Sequence, residues 1–296
     1  MFIIIKKRKF LIITIISVCI LCAICVVSSF AVTHPELEDG TVYLPIVMYH
    51  SVQPNESGTY TVSTANFEKD LQYFKNLGYT TVSAQQVIDY VDNNAPLPDK
   101  PILLTFDDGY YDNMYYALPL LQQYGMKAVV FVVGKYTDQS TASGDVNPNY
   151  SYLTWDQIKE LSATGTFEIG SHTYDMHNIK GPRNGAFKAK GETDAEYATN
   201  FTNDLNKLQN AVQQDTGIAP VIFAYPFGNV EKNSTEILKN VGIKMTVTSY
   251  QGVSNIKQGD PNSLYQLKRI NRNGNKSTES VFSKDLNKPK PTINPK

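Results

Sequence analysis

The sequence predicts an α/β protein, a (β/α)7 barrel formed by one domain, on three observations. Seven short apolar runs alternate with helical segments between residues 43 and 273. Most of these runs are continuously apolar, as in strands buried on both faces. Chemically active side chains also stand at the ends of three different strands, which a barrel brings together on one face. An open doubly wound sheet satisfies the first two observations and leaves the third without a cause.

In chain order, residues 1–31 come first. The basic cluster Lys6-Lys7-Arg8-Lys9 precedes an apolar or small stretch, Phe10 to Ala31. This is either a signal peptide, cleaved after Ser29-Phe30-Ala31, or an uncleaved transmembrane anchor, since about 20 apolar residues span a bilayer. Both place the remainder outside the cell, secreted or held at its surface. Residues 32–42 read as a linker that contains His34, and residues 43–273 as the catalytic domain. The strands fall at Leu44–Tyr49, Thr80–Val82, Ile102–Phe106, Lys127–Val133, Phe167–Ile169, Val221–Tyr225 and Met245–Thr248. Gly78, Gly125, Gly165, Gly217 and Gly242 each follow a helical segment, where a left-handed residue closes the last turn. Ser83–Gln86, Thr154–Gln157 and Asn233–Glu236 have the spacing of a capping box. Phe67, Leu71 and Phe74 share one helix face. Residues 180–200 form a polar loop entering a helix. Residues 274–296 are polar and rich in Pro and Lys, and read as a disordered tail after a short helix near Thr278–Leu286.

Composition removes several classes. All three cysteines, Cys19, Cys22 and Cys25, lie in the leader, so the exported part has neither a disulfide framework nor a thiolate zinc site. Four of the 27 basic residues belong to the leader cluster, so the remainder carries 23 against 28 acidic residues, a net charge of −5. That balance does not suggest a nucleic-acid binder. No H-E-x-x-H occurs, which counts against a zinc peptidase.

Three strand ends carry the chemistry. The run TFDDG ends one strand in Asp107-Asp108, SHTYDMH ends another in His172 with His177 five residues on, and PIVMYH ends the first in His50. Taken singly, each has a plain reading: Asp-Gly is a turn dipeptide, and paired histidines are often surface or capping residues. Together they are harder to dismiss. Adjacent ionised carboxylates repel, and a bound cation removes that cost. Two imidazoles, one carboxylate and an open position make a catalytic zinc shell. We therefore assign Asp108, His172 and His177 as ligands and leave Asp107 to accept a proton from water. Zinc suits this set, and cobalt or nickel would fit it too.

TFDDG, SHTYDMH and AYPFG, in that order, resemble three motifs of the polysaccharide deacetylases, carbohydrate esterase family 4, over roughly residues 43–272. The resemblance implies a distorted β/α barrel that removes acetyl groups from N-acetylglucosamine polymers or from xylan. It implies Asp107 as catalytic base, Asp108 with His172 and His177 on the metal, and the Phe227 backbone N–H in the oxyanion hole. Tyr225, Pro226 and Phe227 become the substrate-binding stretch. Two family features are missing. Ala224 stands where an arginine braces the base, and Leu267-Lys268-Arg269-Ile270 stands where a histidine acts as general acid. The start LPIVMYHSV resembles a subgroup with permuted barrel order that includes poly-N-acetylglucosamine deacetylases, so His50 is assigned as the acid and Arg269, or else Arg272, as the brace. The 19 tyrosines make any one of Tyr110, Tyr111 and Tyr174 a weak candidate for stacking on sugar. The expected function is metal-dependent N-deacetylation of an extracellular N-acetylglucosamine polysaccharide by a monomer, which is held to the membrane by its N-terminal segment if that segment stays uncleaved. An acetyl-xylan O-deacetylase and a carbohydrate-binding module with little turnover remain as alternatives.

Overall fold

Proline 45 sets the first boundary of the fold. The structure, a computed structural model, describes residues 39–287. The expected leader or anchor, His34 and the end of the tail lie outside these residues. The run Leu44–Tyr49 proves to be two strands, β1 (Thr41–Leu44) and β2 (Ile46–Tyr49), divided at Pro45, which has no N–H to donate. Then follow β3 (Ser51–Gln53), β4 (Thr61–Ser63), α1 (Thr64–Asn76), β5 (Thr80–Thr81), α2 (Ala84–Asn93) and β6 (Pro101–Phe106). A π-helical turn at Asn113–Ala117 leads into α3 (Leu118–Tyr124), β7 (Ala128–Val132), α4 (Gly134–Ser143), α5 (Trp155–Ala163) and β8 (Phe167–Ser171). The rest is α6 (Asp194–Thr216), β9 (Ile222–Ala224), α7 (Ser234–Asn240), β10 (Met245–Gln251), β11 (Ser254–Lys257), β12 (Leu267–Asn271) and α8 (Thr278–Leu286).

Seven parallel strands close a ring in the order β2-β6-β7-β8-β9-β10-β12 and back to β2. The expected count is right and its membership is not. β5 pairs only with the first residues of β6, outside the ring, while β12 completes the ring and was not read as a strand. The barrel is distorted: β10 and β12 shift register between Val247 and Gln251. Outside the ring, β1 pairs antiparallel with β11.

Alternation along the strands separates two apolar clusters. On β6, Ile102, Leu104 and Phe106 pack outward with Phe67, Leu71 and Phe74 of α1. Leu103 belongs to the other cluster, with Ile46, Val129, Phe131 and Val247. Thr105 and Asp107 continue the Leu103 side of the strand. Two of the expected capping boxes form, at Ser83 and Thr154. Asn233 makes no side-chain cap, because its backbone (φ −96°, ψ 2°) is outside the extended region a capping residue needs. An unexpected third box forms at Thr193, opening α6. Helix α8 falls where the sequence places it, but Phe282 and Leu286 are buried in the main core, so the packed chain runs past residue 273.

Candidate active site

Every candidate side chain leaves its strand at the same end of the ring. His50 follows β2, Asp107 and Asp108 follow β6, His172 follows β8, the stretch Tyr225–Phe227 follows β9, and Arg269 lies in β12. They meet at a cavity of about 710 Å³. The turn after β6 explains how two adjacent carboxylates reach one mouth. Asp108 and Gly109 are both left-handed (φ 72° and 71°), which reverses the usual alternation. Aspartate tolerates that region better than most residues. At Gly109 a Cβ would come within 3.3 Å of the Val132 backbone, so only glycine lets β7 pass so closely.

Asp108, His172 and His177 offer ligand atoms that all lie within 4.8 Å of one another. Asp108 Oδ1 is 3.6 Å from His172 Nε2 and 3.2 Å from His177 Nε2. The second nitrogen of each ring fixes its tautomer. His172 Nδ1 lies 2.7 Å from the Ala224 carbonyl, which can only accept, so Nδ1 carries the proton. The Tyr136 hydroxyl gives its hydrogen to the His177 carbonyl (3.0 Å) and so must accept from His177 Nδ1 (3.2 Å). Both Nε2 atoms are therefore unprotonated, with a lone pair turned towards Asp108, the arrangement in which a metal-binding imidazole is held by an outer partner. Burial pushes His172 down to about 4, so it is neutral at physiological pH and available as a ligand. These residues fit a divalent metal ion, and two imidazoles with one carboxylate suit zinc, cobalt or nickel alike.

Asp107 takes no part in this cluster. Arg269, fully buried, grips it through two parallel bonds, Nη1 to Oδ1 at 2.6 Å and Nη2 to Oδ2 at 2.7 Å. The guanidinium is itself fixed by the Thr248 carbonyl at 2.8 Å. Burial alone would raise the Asp107 carboxyl, and Arg269 overrides it, holding the group well below the usual carboxylate range. Arg272, the other candidate brace, is engaged elsewhere, with Asp70 at 2.6 Å. His50 Nε2 stands 4.0 Å from Asp107 Oδ2, and its ring lies 4.7 Å from that of Tyr60.

The β9 stretch divides. Phe227 is exposed, left-handed (φ 58°), and its ring sits 4.5 Å from His177. Tyr225 and Pro226 are expected to contact substrate; Tyr225 is among the residues that line the cavity, and Pro226 is not. Tyr225 is 1% exposed with its hydroxyl 3.0 Å from Ser234 Oγ, and Pro226 is buried. Tyr110 lines the cavity, whereas Tyr111 packs on the core and Tyr174 is held by Asp138 and Lys207. Sequence reasoning missed Tyr136 and Tyr60. Neither belongs to a motif, and nothing local distinguishes them from the other tyrosines.

Comparison with known proteins shows the family. The family model for polysaccharide deacetylase matches residues 94–246, just over half of the chain. A Bacillus subtilis (strain 168) relative is 29% identical over 227 residues, 77% of this chain and 70% of that one. The poly-beta-1,6-N-acetyl-D-glucosamine N-deacetylase of Escherichia coli (strain K12) is 27% identical over 234 residues; the match covers 72% of this chain and 35% of that enzyme, about a third of its length. The solved de-N-acetylase of Aggregatibacter actinomycetemcomitans superposes with a TM-score of 0.67 at 26% identity, over 82% of this chain and 98% of that one. This chain belongs to the polysaccharide deacetylase family.

Proposed function

We propose that the protein is a metal-dependent hydrolase that removes N-acetyl groups from an extracellular polysaccharide containing N-acetylglucosamine, releasing acetate. The observation that carries this reading is the pairing at one mouth of two unlike carboxylates. Asp108 faces two imidazoles with free Nε2 atoms, and Asp107 is locked by an arginine away from them. The named activities of the E. coli and A. actinomycetemcomitans proteins point to the same bond.

Asp108, His172 and His177 would hold the ion. When bound, a divalent ion supplies Lewis acidity, lowering the pKa of water from about 16 towards 7 and polarising the acetyl carbonyl. Asp107, ionised throughout the neutral range, accepts the proton of the attacking water. A carboxylate held this low is a weak base, so it serves only because the water is acidified beside it. The Phe227 backbone N–H donates to the developing oxyanion, a contact worth about 3 kcal/mol where such donors have been removed. His50, beside Asp107, protonates the departing amine. Arg269 is the brace and touches no substrate. Phe227 and Tyr60 flank the cavity as faces for sugar rings.

The test is mass-spectrometric detection of acetyl loss from defined poly-N-acetylglucosamine and peptidoglycan fragments, with and without chelator, beside an acetyl-xylan oligomer. Loss from a glucosamine polymer that chelator abolishes is expected. Loss from the xylan ester alone would overturn the assignment of the bond. Asp108→Ala should lose both metal and turnover, and His50→Ala should keep the metal and lose about 10²–10⁴-fold in turnover. Equal metal loss in both variants would refute this division of roles.

A further inference from the structure

Between His172 and His177 the chain makes a turn that its own sequence does not favour. Thr173 is β-branched, buried and left-handed (φ 73°). Such a residue is strained and persists only where its surroundings over-determine it. The structure shows what holds it. Asp204, partly buried on α6, accepts the backbone N–H of Tyr174 at Oδ1 and that of Asp175 at Oδ2, both at 2.7 Å. From the opposite side the N–H groups at the start of α4 take the carbonyls of the same turn, Gly134 that of Thr173 (3.2 Å) and Lys135 that of Tyr174 (2.8 Å). Gly134 has no side chain to spare: a Cβ there would lie 2.3 Å from the Tyr174 ring.

We propose that Asp204 is a positioning residue for the metal site, its carboxylate fixing the turn that sets His172 and His177 at their mutual spacing. The inference rests on the ligand assignment above and deepens it. Asp204 is outside the lining of the cavity and bonds only backbone groups of the turn, so it acts through the ligands and not on substrate. It is suited to the task because α6 is anchored along its length by buried Tyr197, Phe201, Leu205 and Leu208. A carboxylate is also suited, since two successive N–H donors need two acceptor oxygens from one side chain, and ionised acceptors bond more strongly than neutral ones. Partners of this kind typically change metal affinity by 10–100-fold when removed.

Affinity for Zn(II) is to be measured by chelator competition on purified wild type, Asp204→Ala, Asp204→Asn, His177→Ala and the exposed helix control Asn203→Ala. Co(II) absorption spectra and thermal midpoints are recorded on the same samples. Asp204→Ala should bind 10–100-fold more weakly with an altered cobalt spectrum, yet recover turnover to within about threefold at saturating metal. Asp204→Asn, which keeps one acceptor oxygen, should fall between it and wild type, and Asn203→Ala should match wild type. If Asp204→Ala does not fold, Asp204→Asn decides alone. Affinity within twofold of wild type together with a lowered thermal midpoint would overturn the proposal and leave Asp204 a purely structural contact. Wild type binding no metal, like His177→Ala, would instead overturn the metal-site reading itself.

Discussion

Arg269 and Asp107 show how one residue pair determines what its neighbour can do. A fully buried guanidinium is tolerable only with its donors engaged, and here the Asp107 carboxylate, Thr248 and Thr105 engage them. The pair separates the roles of two adjacent aspartates: one is held ionised by an arginine, the other faces imidazoles. Replacing Arg269 by Met removes the largest influence opposing burial, leaving only His172 and His50, so the Asp107 carboxyl should rise from its depressed value. The sign of the pH effect follows. A base with a higher pKa is protonated over more of the acid range, so the acid limb of kcat/KM should move to higher pH. The variant should therefore lose more activity at pH 5.5 than at pH 8.5. A parallel fall at all pH values would show that Arg269 acts on folding and not on the ionisation of Asp107. Stability should also drop by about 3–5 kcal/mol, the usual consequence of leaving one partner of a buried ion pair alone.

Among the elements, β12 shows where sequence reading fails and why. Its residues LKRIN include two cations and no apolar run, so nothing marks a buried strand. It is buried because Arg269 meets Asp107 across the barrel, 162 residues away in sequence, and a pattern search cannot see that partner. The opposite error occurred at Thr80–Val82, where apolar and β-branched residues suggested a ring strand that the structure limits to a two-residue pairing. Strands β6 and β7 were legible as continuous buried apolar runs, and β6 and β8 as strands that end in polar chemistry. The Asp108–His172–His177 cluster was legible for the same reason. Its outer partners, Tyr136 and the Ala224 carbonyl, were not, since a hydrogen bond to a backbone carbonyl has no sequence signature. The start of α4 supplies a further test. Gly134→Ala should push the Tyr174 ring aside and weaken zinc binding, whereas Gly144→Ala at the other end of the same helix meets open space, and its φ of 65° should lower stability by about 1 kcal/mol with metal affinity unchanged. Equal metal affinity in both variants would mean that the Tyr174 contact does not govern the ligand turn.

Across the whole molecule, closure of the barrel depends on a second buried ion pair far along the chain. Asp70 of α1 accepts from Arg272 Nε at 2.6 Å, from Thr278 Oγ1 at 2.6 Å and from the Tyr49 hydroxyl at 3.1 Å. Arg272 follows β12, Thr278 opens α8 and Tyr49 ends β2, so one carboxylate joins the first strand of the ring, the last strand and the terminal helix. Arg272 also donates its backbone N–H to the Met48 carbonyl, next to the seam between β12 and β2. The seam itself has a short register, Ile270 with Val47 and Asn271 with Met48, and the side-chain bonds to Asp70 reinforce it. Asp70→Ala strands a buried guanidinium and should cost about 3–5 kcal/mol in urea unfolding, while Thr278→Val should cost about 1 kcal/mol. The double variant Asp70→Ala with Arg272→Met should recover part of the loss, because it removes the unpaired charge and not merely its partner. A single Asp70→Ala change costing less than 1 kcal/mol would show that strand pairing alone closes the barrel.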